Sequence, residues 1–446
     1  MCSVLLVEIF GKISSPIAIS FALFWSLYYF KKPIILFAAF FTLTITGELF
    51  EGNIFFLYFE GKTAYSSLTT IANYFGYMLM GIAILQNRIF SVKLTRLDFL
   101  LILFCSFMFF SGIISNTPEF MLIFFKRIPQ FFAIYFLIRI FIRSYNDFLF
   151  FYQFNLFISI TILIILLWQF LIGELSSGIG RPHLAFFALP FLLSYTFMFQ
   201  DERIKWGFIS ILISFLGFFS DSRRMFIGLL MYWSLFLFNE LKNQNKKNKI
   251  ISVSIIFIIL IFIMPDSITR RLNFGFQGLL DISRGENVYD LQSDVFTNRD
   301  KLWTIGYNIW SENIMLGIGT MNAPQFMNAY SDFDGDYEGK RMHNFYLRIL
   351  AEQGIVGFVI FLFIFYEIFN YLIINRNSLK KSDKHIPFMI NKIFYYKQIT
   401  LAFMYIFGGW GIYDKLFWID TGIIMAIYHY NYELKYRGSK ITSSIN

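Results

Sequence analysis

The chain has 446 residues, of which 57% are hydrophobic, 21% aromatic and 15% charged, and its mean hydropathy is +0.58. Soluble domains sit near about 45–50% apolar and about 25% charged, so a soluble globular protein is excluded and an all-α polytopic membrane protein is implied. The net charge is +9, but the basic residues cluster in short loops between apolar runs, which is a topology signal, and no nucleic-acid partner is expected.

A membrane-spanning helix needs about 20 apolar residues. In chain order the apolar runs are 14–30, 33–48, 66–86, 97–115, 119–142, 148–173, 183–200, 206–220, 224–239, 249–265, 343–374, 390–409 and 414–431, about twelve or thirteen crossings. The run 343–374 is roughly 48 Å long as a helix, more than one bilayer, so it tilts, breaks near Gly354 or projects beyond the membrane. Loops carrying Lys31 and Lys32, Arg88 to Arg96, Arg143, Arg203 and Lys205, Lys242 to Lys249 and Arg376 to Lys384 are predicted to be cytoplasmic, as is the tail with Lys435, Arg437 and Lys440. The alternate loops, including 174–183, 220–224 and the hydrophilic segment 266–342, then face outward. The chain divides into N-terminal spans (1–205), a central core with the outer loop 266–342 (206–375), and C-terminal spans with a cytoplasmic tail (376–446).

Within 266–342, Thr297-Asn298-Arg299-Asp300 reads as a helix start, with Thr297 as cap and Asp300 closing a capping box. Leu302, Trp303, Gly306, Ile309 and Trp310 follow at helical spacing, which suits an amphipathic helix on the membrane surface. Leu316-Gly317-Ile318-Gly319 ends it in a turn. Asp332-Phe333-Asp334-Gly335-Asp336-Tyr337-Glu338 resembles a calcium loop, but its glycine is misplaced, and a solvated acidic loop is expected. The cysteines, Cys2 and Cys105, form no disulfide or metal pattern, and Cys105 reads as a small buried hydrophobe. No metal or cofactor is expected.

Arginine on an outward loop runs against the positive-inside tendency and needs a reason. Arg181 follows Gly178-Ile179-Gly180, Arg223 and Arg224 sit in the turn Ser220-Asp221-Ser222-Arg223-Arg224, and Arg299 opens the outer helix. Lys126 and Arg127 lie just inside the outer end of an apolar run. A diphosphate would supply the reason, because the guanidinium fork matches phosphate oxygens and stays charged in low dielectric. Pairing with Asp221 or Asp300, contact with lipid headgroups, and snorkelling of Lys126 and Arg127 are the structural alternatives. His343 stands where the polar segment meets the long apolar run, and an ionisable group at a membrane boundary marks a candidate site. Arg348 and Glu352 follow it four residues apart on one helix face and are expected to pair. His183 is a second outward histidine; His385 and His429 read as solvated and interfacial.

The block His343-Asn344-Phe345-Tyr346-Leu347 through Glu352-Gln353-Gly354-Ile355-Val356-Gly357, with Ser222-Arg223 and Arg299…Trp303…Gly317-x-Gly319, resembles the O-antigen ligase and polymerase family over roughly residues 208–360. The resemblance implies a membrane glycosyltransferase in the bacterial inner membrane whose site faces the periplasm. Its donor would be an undecaprenyl-diphosphate-linked glycan, and its acceptor a second lipid-linked chain or lipid A core. Membrane lipids and a chain-length regulator are further candidate partners. It also implies that Arg223 and Arg299 contact the diphosphate and that His343 is the base. Arg181, Arg127 and Arg224 are added as diphosphate-binding candidates; Arg224 departs from the small residue usual after the family's Ser-Arg.

Imidazole, with an ordinary pKa of about 6.5, suits removal of a hydroxyl proton near neutral pH. Arginines can stabilise the departing diphosphate. The Phe-, Ile-, Asn- and Lys-heavy composition resembles that of polymerases of polysaccharide clusters, and Gly180-Arg181 resembles a glycine-arginine element seen in polymerases, so the resemblance favours a polymerase over a ligase. A lipid-linked sugar transporter would call for internal repeats and charges near the midplane, and no inverted repeat is visible. A non-enzymatic assembly scaffold would tolerate loss of His343 and Arg299.

Overall fold

A computed structural model describes residues 24–25, 28–50, 75–88, 92–114, 128–171, 183–198, 202–219, 223–240, 299–333, 335–379, 385–408 and 411–443. The described residues are helical and contain no strand. The first five helices are α1 Pro33–Phe50, α2 Phe75–Leu85, α3 Arg96–Ile114, α4 Ile128–Phe141 and α5 Tyr145–Leu171. They are followed by α6 His183–Met198, α7 Arg203–Phe219 and α8 Arg223–Glu240. The hydrophilic segment contributes α9 Arg299–Glu312 and the single turn α10 Ala323–Phe326. The chain then runs through α11 Phe345–Leu379, α12 His385–Met404, two 3-10 turns at Tyr405–Phe407 and Gly411–Tyr413, and α13 Lys415–Ser443.

α3, α5 and α11 are long and apolar enough to cross a membrane, and several shorter apolar helices accompany them among the described residues. This is an all-helical polytopic membrane protein. The expected spans at 14–30 and 249–265 lie wholly or almost wholly outside the described residues, and parts of 66–86 and 119–142 do as well.

Most helices are apolar on all sides, as bilayer-embedded helices must be. Aromatic rings fill the contacts between them. Phe37 stacks on Phe141 and Phe151, joining α1 to α4 and α5, and Trp418 of α13 stacks on Phe131 of α4 at 5.8 Å. Small residues let the helices close in: Gly217 of α7 has Leu229 and Ala185 against its α-carbon, so α6, α7 and α8 meet there.

The charged groups buried in α3, α4, α12 and α13 are paired, since an unmet charge is costly there. In α12 and α13, Lys397 Nζ meets Asp420 at 2.8 Å, with both side chains buried. At the end of the bundle away from the hydrophilic segment, Asp98 of α3 pairs with Arg139 of α4 and accepts the Tyr135 hydroxyl at 2.7 Å. Arg139 also donates to the Lys93 carbonyl at 3.0 Å and to His429 Nε2 at 2.6 Å. His429, expected as a simple interfacial group, is part of this lock. Cys105 is buried and unpaired with another cysteine, as its apolar surroundings predicted.

The hydrophilic segment builds a second, smaller core. Leu302, Ile305 and Ile309 of α9 are buried with Ala323, Met327, Tyr337, Met342 and Ala351. The apolar face of α9 is therefore covered by protein rather than by the membrane surface, because the 323–342 loop folds back over it and supplies the apolar partners.

Candidate functional site at the broken helix

The site grows from the start of α11. Asn344 caps the helix: its side-chain oxygen accepts the Leu347 N–H at 3.0 Å. His343 precedes the cap with φ 50, a left-handed conformation that histidine adopts more readily than most side chains, and it is exposed. Phe345 turns inward against Phe361, Tyr405 and Tyr413. Gly411 lies directly under its ring, where a β-carbon would not fit.

One turn on, the expected Arg348–Glu352 pair is present, with Arg348 Nε 2.8 Å from Glu352 Oε1 and both residues buried. Three further groups complete it. The Tyr413 hydroxyl donates to Glu352 Oε2 at 3.1 Å, and the Arg348 guanidinium stacks over the Tyr413 ring at 4.8 Å. Arg348 Nη2 also approaches the Met321 sulfur at 2.8 Å. Gln353 Nε2 donates to the Tyr413 hydroxyl at 2.9 Å and lies 3.4 Å from Thr320 Oγ1, which donates to the Met108 carbonyl at 2.9 Å.

Directly beyond, α11 breaks. Gly354 has φ 62 and ψ −167, a backbone state that essentially only glycine adopts. The break frees carbonyls before it and N–H groups after it, and inside a membrane protein each needs a partner. Residues 314–319 provide them. Ile318 and Gly319 donate to the carbonyls of Ala351 and Glu352 at 3.0 and 2.9 Å. Ile355 donates to the Ile314 carbonyl at 2.8 Å, and Val356 to that of Met315 at 3.4 Å. Ser111 of α3 reaches the carbonyls of Leu316 and Glu352 at 3.4 and 3.3 Å. The Gly317-x-Gly319 and Glu352-x-Gly354 motifs are thus two halves of one joint.

This joint sets the places of the sequence-derived candidates. Arg299 begins α9, half-buried, and α9 is held to the α11 entry by Gly306, whose α-carbon lies against Met342 and Leu347. Arg299 and His343 therefore belong to one tied unit. Arg223 and Arg224 open α8. α8 meets α12 where Gly228 abuts Met404, next to Tyr405, whose ring contacts Phe345 at 5.2 Å. The start of α8 thus lies at the same end of the bundle as His343. His183 opens α6, and His385 opens α12 at the opposite end. Arg181, Lys126 and Arg127 lie outside the described residues.

Sequence reasoning missed Tyr413, Gln353, Thr320, Met321 and Ser111, which lie on four separate segments. The one local signal was the glycine-rich interruption Gly408-Gly409-Trp410-Gly411 between two apolar runs. It also missed Arg341, which is exposed at the rim two residues before His343. Partial burial, then the like charge of Arg348, holds the Arg341 guanidinium below its ordinary pKa. The acidic loop satisfies itself: Asp332 accepts from Asn308 at 2.9 Å and Asp336 from Asn328 at 2.8 Å. These bonds to Asn328 and the Glu338 N–H hold the Asp336 carboxyl below its ordinary range.

Residues 208–362 match the family model described as O-antigen ligase. The match runs from within α7, through α8 and α9, to the half of α11 beyond the break, and so contains both glycine motifs and His343. No curated protein matches the sequence. Over residues 208–362 the chain thus carries a domain similar to the O-antigen ligase family, whose members are of glycosyltransferase type.

Proposed function

We propose that the protein polymerises undecaprenyl-diphosphate-linked oligosaccharide repeats of a surface polysaccharide at the outer face of the bacterial inner membrane. The observation that carries this reading is the position of His343. It is exposed at the mouth of the broken helix, above a buried and internally neutralised Arg348–Glu352 pair, on the unit that also holds Arg299.

In this mechanism the acceptor hydroxyl oxygen attacks the anomeric carbon of the donor sugar. The bond from that carbon to the diphosphate oxygen breaks, and the diphosphate leaves with the electron pair. The hydroxyl proton passes to His343, acting as general base. Arg223 and Arg299, with Arg181, Arg127 and Arg224 as further candidates, hold the diphosphate and stabilise its developing charge. A single displacement inverts the anomeric centre. The role of Glu352 is to hold Arg348, and Tyr413 holds Glu352.

The family description favours a second reading, a ligase that passes the glycan to lipid A core. Incubating the purified protein with its lipid-linked repeat, without lipid A core, separates the two on a glycan gel. A ladder that disappears in His343→Ala supports the polymerase. Product formed only after lipid A core is added makes the protein a ligase. Full activity in both Arg299→Ala and His343→Ala would overturn the mechanism.

A further inference from the structure

Segment 266–342 is hydrophilic as a whole, yet its stretch 313–331 carries no charged residue. Part of that stretch is tied to spanning helices at membrane depth. α3, from Arg96 to Ile114, is about 28 Å long, close to the roughly 30 Å of a bilayer's hydrocarbon. Two of its bonds to the segment lie inward of the Ile114 end. Ser111, about 5 Å in, donates to the Leu316 carbonyl at 3.4 Å. The Met108 carbonyl, about 9 Å in, accepts the Thr320 hydroxyl at 2.9 Å. α11 gives a matching depth. Residues 355–374, between the break and Arg376, are about 30 Å of helix, so the break falls at the edge of the hydrocarbon.

At this level the turn Ile314-Met315-Leu316 turns its side chains outward. All three are exposed, Met315 at 61%. Its backbone, in contrast, is closed. The carbonyls of Ile314, Met315 and Leu316 accept from Ile355, Val356 and Ser111, and the N–H groups of Gly317, Ile318 and Gly319 donate to Asn313, Ala351 and Glu352. A turn in water can leave such groups to solvent, whereas in hydrocarbon the protein itself must meet them. The exposed apolar surface also continues from the turn onto a spanning helix. Ile355, bonded to Ile314, begins a stripe with Val359, Leu362 and Tyr366, all exposed at helical spacing. A soluble partner cannot reach a surface that lies inward of the Ile114 end of α3, and acyl chains surround it there.

We infer that Ile314, Met315 and Leu316 form a membrane wedge, a turn of the hydrophilic segment that dips into the acyl chains of the adjacent leaflet and seats the Gly317–Gly354 joint at the hydrocarbon edge. The inference is independent of the reaction, and holds for a polymerase and a ligase alike. Single cysteines are placed in the full-length protein carrying Cys2→Ser and Cys105→Ala, in nanodiscs of palmitoyl-oleoyl phosphatidylglycerol. Met315→Cys tests the wedge. Phe363→Cys, on an exposed part of spanning α11, is the lipid reference, and Glu338→Cys, in the exposed acidic loop, is the water reference. Met315→Cys reacts with a membrane-impermeant maleimide at least about tenfold more slowly than Glu338→Cys, because the reactive thiolate and the reagent are both excluded from hydrocarbon. A nitroxide attached there collides with oxygen, which concentrates in acyl chains, more than with nickel ethylenediaminediacetate, which stays in water, as at Phe363→Cys. Leu316→Cys repeats the measurement at a second exposed position and stands in if Met315→Cys does not fold. A nitroxide that prefers the nickel complex, as at Glu338→Cys, places the turn in water and overturns the inference. A nitroxide shielded from both reagents shows that another protein or a second copy covers the turn, and overturns it equally.

Discussion

Gly317 and Gly354 interlock. The α-carbon of Gly317 rests on the backbone of Glu352 and Gln353, and that of Gly354 on the backbone of Met315 and Leu316. Both have positive φ, 69 and 62 respectively. Neither position has room for a side chain, and backbone atoms cannot step aside as a side-chain tip can. This contact fixes the hydrophilic segment to the break in α11, and so fixes α9 relative to His343.

Alanine at either glycine is expected to destabilise the protein by about 2 kcal/mol or more, from the left-handed backbone alone. The clash with backbone adds to that. Thermal unfolding in detergent would show a lower apparent Tm for Gly317→Ala and Gly354→Ala. Gly339, also at positive φ but with open space around it, provides the comparison. Gly339→Ala should shift the Tm less than either of the others, and equal shifts would mean that the interlock adds nothing beyond backbone strain.

Arg348 and Glu352 form a buried pair, and removing one partner leaves an uncompensated charge. Glu352→Ala is expected to cost about 3–5 kcal/mol. The double variant Arg348→Met/Glu352→Leu should recover much of the loss, because apolar groups of similar volume need no partner. A double-mutant cycle on unfolding would read a coupling of about 1–3 kcal/mol. Additive losses would mean that the two residues act independently.

His343→Asn separates chemistry from backbone conformation. Asparagine tolerates left-handed φ but cannot act as the base. With the side chain exposed, stability should stay within about 0.5 kcal/mol of the wild type. Glycan synthesis should fall by about 10²–10⁴-fold. A variant that keeps normal turnover would leave His343 as a turn residue and no more.

Asp98 and Arg139 lock the opposite end of the bundle, both side chains fully buried. Asp98→Asn should lower stability by about 3 kcal/mol, since Arg139 then loses its counter-charge. The folded fraction should keep the wild-type kcat and KM, because this cluster shares no residue with the site at α11. A changed KM in the folded fraction would show that the two ends of the bundle are coupled.

The helical membrane class, the His343 block and the Arg348–Glu352 pairing were all legible in the sequence. Each depends on local spacing: the length of an apolar run, the junction of polar and apolar segments, and the i,i+4 geometry of a helix. Breakage at Gly354 was among the ways of fitting a run longer than one bilayer. The partner that makes the break tolerable was not legible, because the freed backbone groups of Ala351, Glu352, Ile355 and Val356 are met by residues 314–319, more than thirty positions earlier. Tyr413 likewise reaches Glu352 from a turn that carries no charge or motif of its own.

The face of α9 that becomes core was open for a similar reason. Leu302, Ile309, Trp303 and Trp310 all look apolar along the chain, and only the folding-back of the 323–342 loop sorts them into a buried set and a half-buried one. Hydropathy and helical period are properties of neighbouring residues, so the sequence by itself determined the membrane class and the helices. Pairing of backbone and side chains across distant segments depends on how those helices pack, and that alone decided the joint, the buried network and the face that α9 leaves open.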